Sequence, residues 1–306
     1  MHIKEYSYDS VSGLCGIKAW QWLPDGEPIA VVQIHHGMAE HCKRYKNAIN
    51  ALTKMGYAVF MNDMINHGES NENENELGFF GNKNGYKNII ADARKLTEIA
   101  KNEYPNKKFI IAGHSMGSLV MRCYLNSYSD VDGAIFIGTS GVNNLAPISI
   151  VLTGFVSLFK GKKYRSNWLN NIGFSAYSKP FENRTTYDWG SRDAKSVDEY
   201  CADPKCGYIF SSRGFDDLAR LAMQCNSKLW YKNVKEDLPI LLMSGEMDPV
   251  GNYSKGVNEV YLKLINSNHK NVTKKIYKDA RHEILNELNK EEVFEDINNW
   301  IKENVL

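Results

Sequence analysis

The chain has 306 residues, 43% hydrophobic and 24% charged, with 37 Lys/Arg against 36 Asp/Glu and a formal net charge of +1. That length supplies ample core for one large domain with an insertion, and the near-neutral balance excludes a general nucleic-acid binder. No stretch approaches the ~18 uninterrupted apolar residues of a membrane span, and the opening MHIKEYSYDS lacks the apolar segment of a secretory signal, so a cytoplasmic protein is expected.

Short β-rich runs alternate with longer helical patterns, the arrangement that gives a mainly parallel sheet covered by helices. IAVVQIHHG (29–37) and YAVFMND (57–63) read as strands. Between them RYKNAINALTKMG has helical apolar spacing and ends at Gly56, a glycine C-cap. NENENELG (71–78) reads as a solvated polar loop. KKFIIAGHS (107–115), DGAIFIGTS (132–140) and LPILLMSG (238–245) repeat the strand theme, KKIYKDA (274–280) is the last strand, and EEVFEDINNWIKENVL (291–306) is the closing helix. The alternation breaks over residues 145–235, which hold 14 Lys/Arg against 8 Asp/Glu while the remainder holds 23 against 28. This segment reads as an insertion with its own surface role.

Six scattered cysteines (Cys15, Cys42, Cys123, Cys201, Cys206 and Cys225) make no CxxC pair, so neither a disulfide framework nor a zinc site is expected. The one close pair, Cys201 and Cys206, frames ADPK with the remaining ligands of a tetrahedral site out of view. His35, His36, His41, His67 and His114 lie on separate loops without metal-ligand spacing, and His36 and His67 are expected to brace neighbouring loops. No metal and no cofactor are expected.

GHSMG (113–117) fits G-x-S-x-G between a β-branched run and a helical pattern. There the two glycines let segments pass at a sharp strand-to-helix turn that lifts the Ser115 hydroxyl above the sheet edge. A serine can also cap the helix, so the turn alone leaves two readings. A nucleophilic serine needs a base oriented by an acid, expected later in the chain. Only His269 and His282 follow Ser115; His282 lies just past the last strand, where loops converge, whereas His269 reads as an ordinary surface histidine. In LPILLMSGEMDPVG, Asp248 before Pro249 is the preferred acid and Glu246 its competitor. Two N–H donors for an oxyanion are expected from Met116 and, in the loop opened by Gly37, from Met38.

Together these segments resemble the α/β-hydrolase superfamily, and within it the monoacylglycerol lipase and lysophospholipase group, also described as serine aminopeptidase-like hydrolases. HHGMAEHCKRY is similar to that group's H-G-x-x-E-H-x-x-R-Y, NDMINHGES to its D-x-x-G-H-G-x-S, GHSMGS to its nucleophile elbow and DARHEILNE to its histidine loop. The resemblance implies an α/β-hydrolase core over 1–144 and 236–306 and a helical cap over 145–235. It makes Ser115 the nucleophile, Asp248 the acid, His282 the base, and the Met38 and Met116 amides the oxyanion hole. One departure is Asn66, where the group usually has glycine.

The expected activity is hydrolysis of a single-chain lipid ester through an acyl-enzyme, without a cofactor. APISIVLTGFVSLF (146–159) followed by KGKKYR suggests an acyl tunnel or a transient contact with a membrane surface. Trp168, Phe174, Tyr177, Trp189, Tyr208, Phe210, Phe215, Trp230 and Tyr231 are candidates for an apolar pocket or for packing of the cap. The rival readings are an aminopeptidase, holding a substrate amine through Glu182, Asp216 or Asp217, a general carboxylesterase, and a non-catalytic binding module.

Overall fold

The strand runs are apolar at consecutive positions because both faces of the sheet they form are covered, which removes the polar-out alternation of a half-exposed sheet. The computed structural model describes residues 2–306. Its eight strands are β1 (His2–Asp9), β2 (Gly16–Leu23), β3 (Ala30–His35), β4 (Tyr57–Asn62), β5 (Lys108–His114), β6 (Gly133–Ile137), β7 (Ile240–Gly245) and β8 (Val272–Tyr277). They lie in the order β1-β2-β4-β3-β5-β6-β7-β8; β1 and β2 are antiparallel to their neighbours and the rest are parallel. This is the expected α/β-hydrolase sheet.

Helices α1 (Lys46–Lys54), α2 (Gly85–Glu103) and α3 (Met116–Tyr124) connect the first half of the sheet. Between β6 and β7 come α4 (Ala146–Lys160), α5 (Asn167–Phe174), α6 (Ala194–Ala202), α7 (Ser212–Cys225) and α8 (Lys228–Asn233). The second half adds α9 (Lys255–Asn266) and α10 (Lys290–Asn304). Leu52 of α1 and Ile297 and Trp300 of α10 bury one face with Val32, Val59 and Ile110. Leu96 of α2, Val120 of α3 and Val260 of α9 bury the other with Val31, Phe60 and Ile111, the residues one step along the strands.

The β1–β2 hairpin was not expected from the sequence. Its β1 is mostly exposed and rich in charged and polar residues, so an edge strand held by the Tyr6 hydroxyl on Gln21 carries no apolar run. The chain leaves β3 toward β4 on one side, and β5 returns on its other side, so the order reverses at β3. In open α/β sheets the crevice beyond the carboxyl ends of strands at such a reversal is the usual ligand site. Here it brings the loop after β3 beside the turn after β5.

Four features depart from their sequence readings or explain one. Asn66 has φ 52°, the left-handed conformation that glycine would supply, and its Nδ2 donates to the Phe79 carbonyl at 2.6 Å. Asparagine tolerates this region better than other non-glycine residues, so the departure preserves the loop. NENENELG is mostly exposed, yet Glu76 pairs with Lys163 and the Glu74 carbonyl accepts from Arg165. The loop therefore anchors part of the basic KGKKYR run. His269 is buried rather than on the surface, its ring nitrogens lying 3.2 Å from the Lys235 carbonyl and 3.0 Å from that of Tyr231.

Arg122 is the fourth and largest of these. It is fully buried on α3 and joins both ends of the segment between β6 and β7. One guanidinium nitrogen donates to Thr139 Oγ1 and the Ser140 carbonyl, the other to the Cys225 carbonyl and Asn226 Oδ1. Asn226 Nδ2 closes the junction on the Gly141 carbonyl at 3.0 Å, and the guanidinium stacks 4.5 Å over the Trp230 ring.

Candidate active site

Ser115 sits between β5 and α3 with φ 53° and ψ −122°, outside the regions that L-residues favour. Such strain persists only where the surroundings over-determine it. Here they do: Ser115 N donates to the Ile137 carbonyl at 2.9 Å, and no Cβ fits at either flanking glycine. A Cβ on Gly113 would lie 2.3 Å from the Gly117 carbonyl oxygen, and one on Gly117 2.2 Å from that of His35. The G-x-S-x-G spacing thus reflects three backbones crossing at one point.

His282, past β8, and Asp248, past β7, are both buried, with Nδ1 of the ring 2.9 Å from Asp248 Oδ1. Asp248 also accepts from Val250 N–H at 2.9 Å and from the Ser244 hydroxyl at 3.2 Å. Burial pushes the Asp248 carboxyl up, but the His282 ring and these donors hold it below its usual value, so it remains an anion. Gly138 closes the other side of the pair: a Cβ there would be 3.0 Å from His282 Cε1. Glu246, the competing acid, is exposed and accepts from the Asp279 N–H. His269 lies at the far end of the sheet among the carbonyls before β7.

Ser115, Met116, Gly37, Met38 and His282 all line one cavity of about 700 Å³. Its walls are largely apolar where α4, α5 and α7 supply Leu152, Leu169, Phe174, Phe215 and Leu218, while Asn143, Asn144, Lys255 and Glu259 line it elsewhere. Trp189 lies 5.3 Å from the His282 ring and Tyr177 5.3 Å from Trp189, so aromatic residues of the α5–α6 connection cover the histidine. Tyr208 also lines the cavity, Phe210, Trp230 and Tyr231 are buried, and Trp168 is exposed.

A buried ionic group beneath the site is absent from the sequence reading. Glu40 Oε1 accepts from Gly37 N–H at 2.5 Å and from the Tyr45 hydroxyl at 2.8 Å, and its other oxygen pairs with Arg44 at 2.6 Å. Arg44 also holds Glu283, the residue after His282, through both oxygens. His114 Nδ1 lies 3.1 Å from the Tyr45 hydroxyl and 3.5 Å from Glu40, and its ring lies tilted, 4.7 Å from that of His282. Burial disfavours charge on His114, yet the Glu40 carboxylate beside it raises its pKa. The group ties the Gly37–Met38 loop to the His282 loop. The only signal for it in the sequence is the pairing of E-H-x-x-R-Y with R-H-E across some 240 positions, which spacing alone cannot join.

His36 and His67 brace loops as expected. His36 Nε2 accepts from Met64 N–H at 3.0 Å, and the His67 ring stacks 5.7 Å from Phe80. Of the carboxylates considered for an amine, Glu182 is exposed and held by Arg281, Asp216 pairs with Arg213 and Arg220, and Asp217 is buried against Gly85 at the start of α2. None of the three lines the cavity.

A serine on a strained strand-to-helix turn, sharing one cavity with an Asp-oriented histidine at the carboxyl edge of a mainly parallel sheet, defines an α/β-hydrolase. The chain is a serine hydrolase of the carboxylic ester class. It belongs to the serine aminopeptidase, S33 family, whose model matches residues 26–289. A monoacylglycerol lipase of Mycolicibacterium smegmatis is 27% identical over 97% of this chain and 96% of its own, and the Mus musculus monoglyceride lipase 24% over 93% and 86%. A thermostable carboxyl esterase from Bacillus coagulans, solved in complex with glycerol, superposes with a TM-score of 0.93 at 28% identity over the whole of both chains.

Proposed function

We propose that the protein hydrolyses single-chain lipid esters of the monoacylglycerol or lysophospholipid kind. Ser115 attacks the ester carbonyl, His282 takes its proton and returns it to the leaving alcohol, and the Asp248 carboxylate orients the ring and stabilises its charged form. Water then releases the acyl group by the reverse sequence. The Met38 and Met116 amides receive the oxyanion; Met116 opens α3, where N–H groups have no partner within the helix.

The observation that carries this reading is a cavity of about 700 Å³, apolar along α4, α5 and α7, with Ser115 and His282 in its wall. Residues 145–235 act as the cap that shapes it, over a core of 1–144 and 236–306. The engaged positions of Glu182, Asp216 and Asp217 weigh against an aminopeptidase. The names of the relatives point the same way as the cavity. Six cysteines without a disulfide suit a reducing compartment, and we place the enzyme in the cytoplasm.

The test is turnover of esters graded by chain length, together with a monoacylglycerol, a lysophospholipid and an aminoacyl arylamide. Long-chain single esters are expected to give the highest kcat/KM and the arylamide none. Ser115→Ala is expected to lose activity by roughly 10⁴-fold or more and to lose labelling by a fluorophosphonate. A preference for short acyl chains identifies a general carboxylesterase instead, and turnover of the arylamide an aminopeptidase. Full activity in Ser115→Ala overturns the mechanism.

A further inference from the structure

The sequence offers Cys206 only Cys201 for company, but the fold brings two other ligand types to it. His41, at the start of the turn after the Gly37–Glu40 loop, lies against the Asp203–Gly207 turn that follows α6. Its Nε2 is 2.9 Å from Asp203 Oδ2, and the His41, Asp203 and Cys206 ligand atoms all lie within 4.8 Å of one another. We propose that these three side chains form a site for a zinc-class divalent cation that ties the cap to the core. The inference does not depend on the substrate proposed above.

Imidazole, carboxylate and thiolate are a borderline-soft donor set that favours zinc over magnesium or calcium. A tetrahedral ion with bonds of ~2.0 to 2.3 Å holds its ligands about 3.5 Å apart, so small side-chain rotations close the site. Asp203 and Cys206 are partly exposed, which gives an ion a path in and leaves water the fourth position. Thiolate and carboxylate balance the double positive charge, the thiol proton leaving to solvent. Arg44, the nearest buried cation, is already matched by Glu40 and Glu283.

Backbone hydrogen bonds already orient the two ligands of this turn. Asp203 Oδ1 accepts from Lys205 N–H at 2.8 Å, and Cys206 N–H donates to the Asp203 carbonyl at 3.0 Å, so the turn presents both side chains in a fixed relation. Across the junction the Ala39 carbonyl accepts from Gly207 N–H at 2.9 Å and from the Tyr200 hydroxyl at 3.2 Å. Ala39 itself has φ 51°, an unusual conformation for alanine, and it lies between Met38 and His41. An ion at His41 would therefore fasten the same junction that these two bonds hold, one loop from the nucleophile.

The test uses the full-length protein, first stripped by a chelator. Equilibrium dialysis with Zn²⁺ is expected to give one tightly held ion per chain. Co²⁺ in its place is expected to show a tetrahedral visible spectrum with a thiolate charge-transfer band. Saturation should raise Tm by about 5 °C at a hundredfold excess over Kd. Cys206→Ser and Asp203→Asn, both at partly exposed positions, should lose the ion and the band while keeping the far-ultraviolet dichroism of the folded chain. Failure to retain Zn²⁺, a Co²⁺ spectrum without the thiolate band, or equal retention by Cys206→Ser overturns the proposal.

Discussion

At the scale of single residues, the site is governed by backbone packing as much as by side-chain chemistry. Gly138 shows this: with φ 59° and a His282 ring 3.0 Å from where its Cβ would be, it fixes the face on which the histidine rests. Gly138→Ala is expected to push that ring aside and lower kcat by about a hundredfold with little change in KM, since displacements near 1 Å at a reacting group cost that much. Steady-state kinetics with one soluble ester checks it, and wild-type kcat would remove the positioning role. The nucleophile, acid and base proposed here were legible from motif order. The Glu40–Arg44–Glu283–His114 group was not, because it is assembled from two loops and the end of β5, whose proximity only the sheet order creates. Asn66 falls between the two: its departure from glycine was visible, whereas its compliance with the same backbone geometry was not.

At the scale of elements, α4 is the clearest case of a helix whose two faces differ in fate. Thr153 is buried and Leu152 faces the cavity, while Ile148, Val151, Phe155, Leu158 and Phe159 form an exposed stripe; Leu158 and Phe159 are each 76% exposed. Trp168 and Ile172 of α5 extend the exposed apolar surface, and Lys160 and Lys162 stand exposed at the end of the helix. Apolar surface beside cations suits an anionic lipid interface. Phe155→Ser/Phe159→Ser is expected to weaken sedimentation with phosphatidylglycerol vesicles at least tenfold, from the ~1.5 to 3 kcal/mol each aromatic loses, while leaving turnover of a soluble ester in place. Equal sedimentation would dismiss the membrane contact. The sequence offered both an acyl tunnel and a lipid-facing surface for this run; the helix turns Leu152 to the cavity and leaves the stripe from Ile148 to Phe159 exposed. The hairpin of β1 and β2 eluded the same reading because an edge strand needs no continuous apolar pattern.

At the scale of the whole molecule, acid stability follows from histidines that are kept neutral. Burial lowers His35 and His67 to about 3 and His36 to about 4, against 6.5 in the unfolded chain. Below pH 6.5 the unfolded state binds protons that the native state refuses, so stability falls as pH falls from about 6.5 toward 4.5. Asp217 opposes this trend: burial raises it to about 7, so the native state holds a proton there that the unfolded carboxylate has released. His114, raised by the Glu40 carboxylate, opposes the trend only near the top of this window. A net of about two protons corresponds to roughly 2 to 3 kcal/mol per pH unit. In a urea series at stepped pH, His67→Phe is expected to shallow that slope by about one proton and Asp217→Asn to steepen it by about one. Slopes that match the wild type in both variants would refute the assignment.

The junction at Arg122 also bears on how such a chain diversifies. Because Asn226 closes on Gly141 and Arg122 grips Ser140 and Asn226, residues 142–225 leave the core and return to it at nearly one point. A segment closed in this way is modular. It can lengthen, shorten or be exchanged for another of different lining without altering strand register or the spacing of Ser115, Asp248 and His282, because loop closure grows only slowly with length. With the cap and triad proposed above, substrate range and catalytic machinery are free to change at separate rates, and a graft that keeps Gly141, Asn226 and the Arg122 contacts is the natural unit for moving specificity from one such enzyme to another.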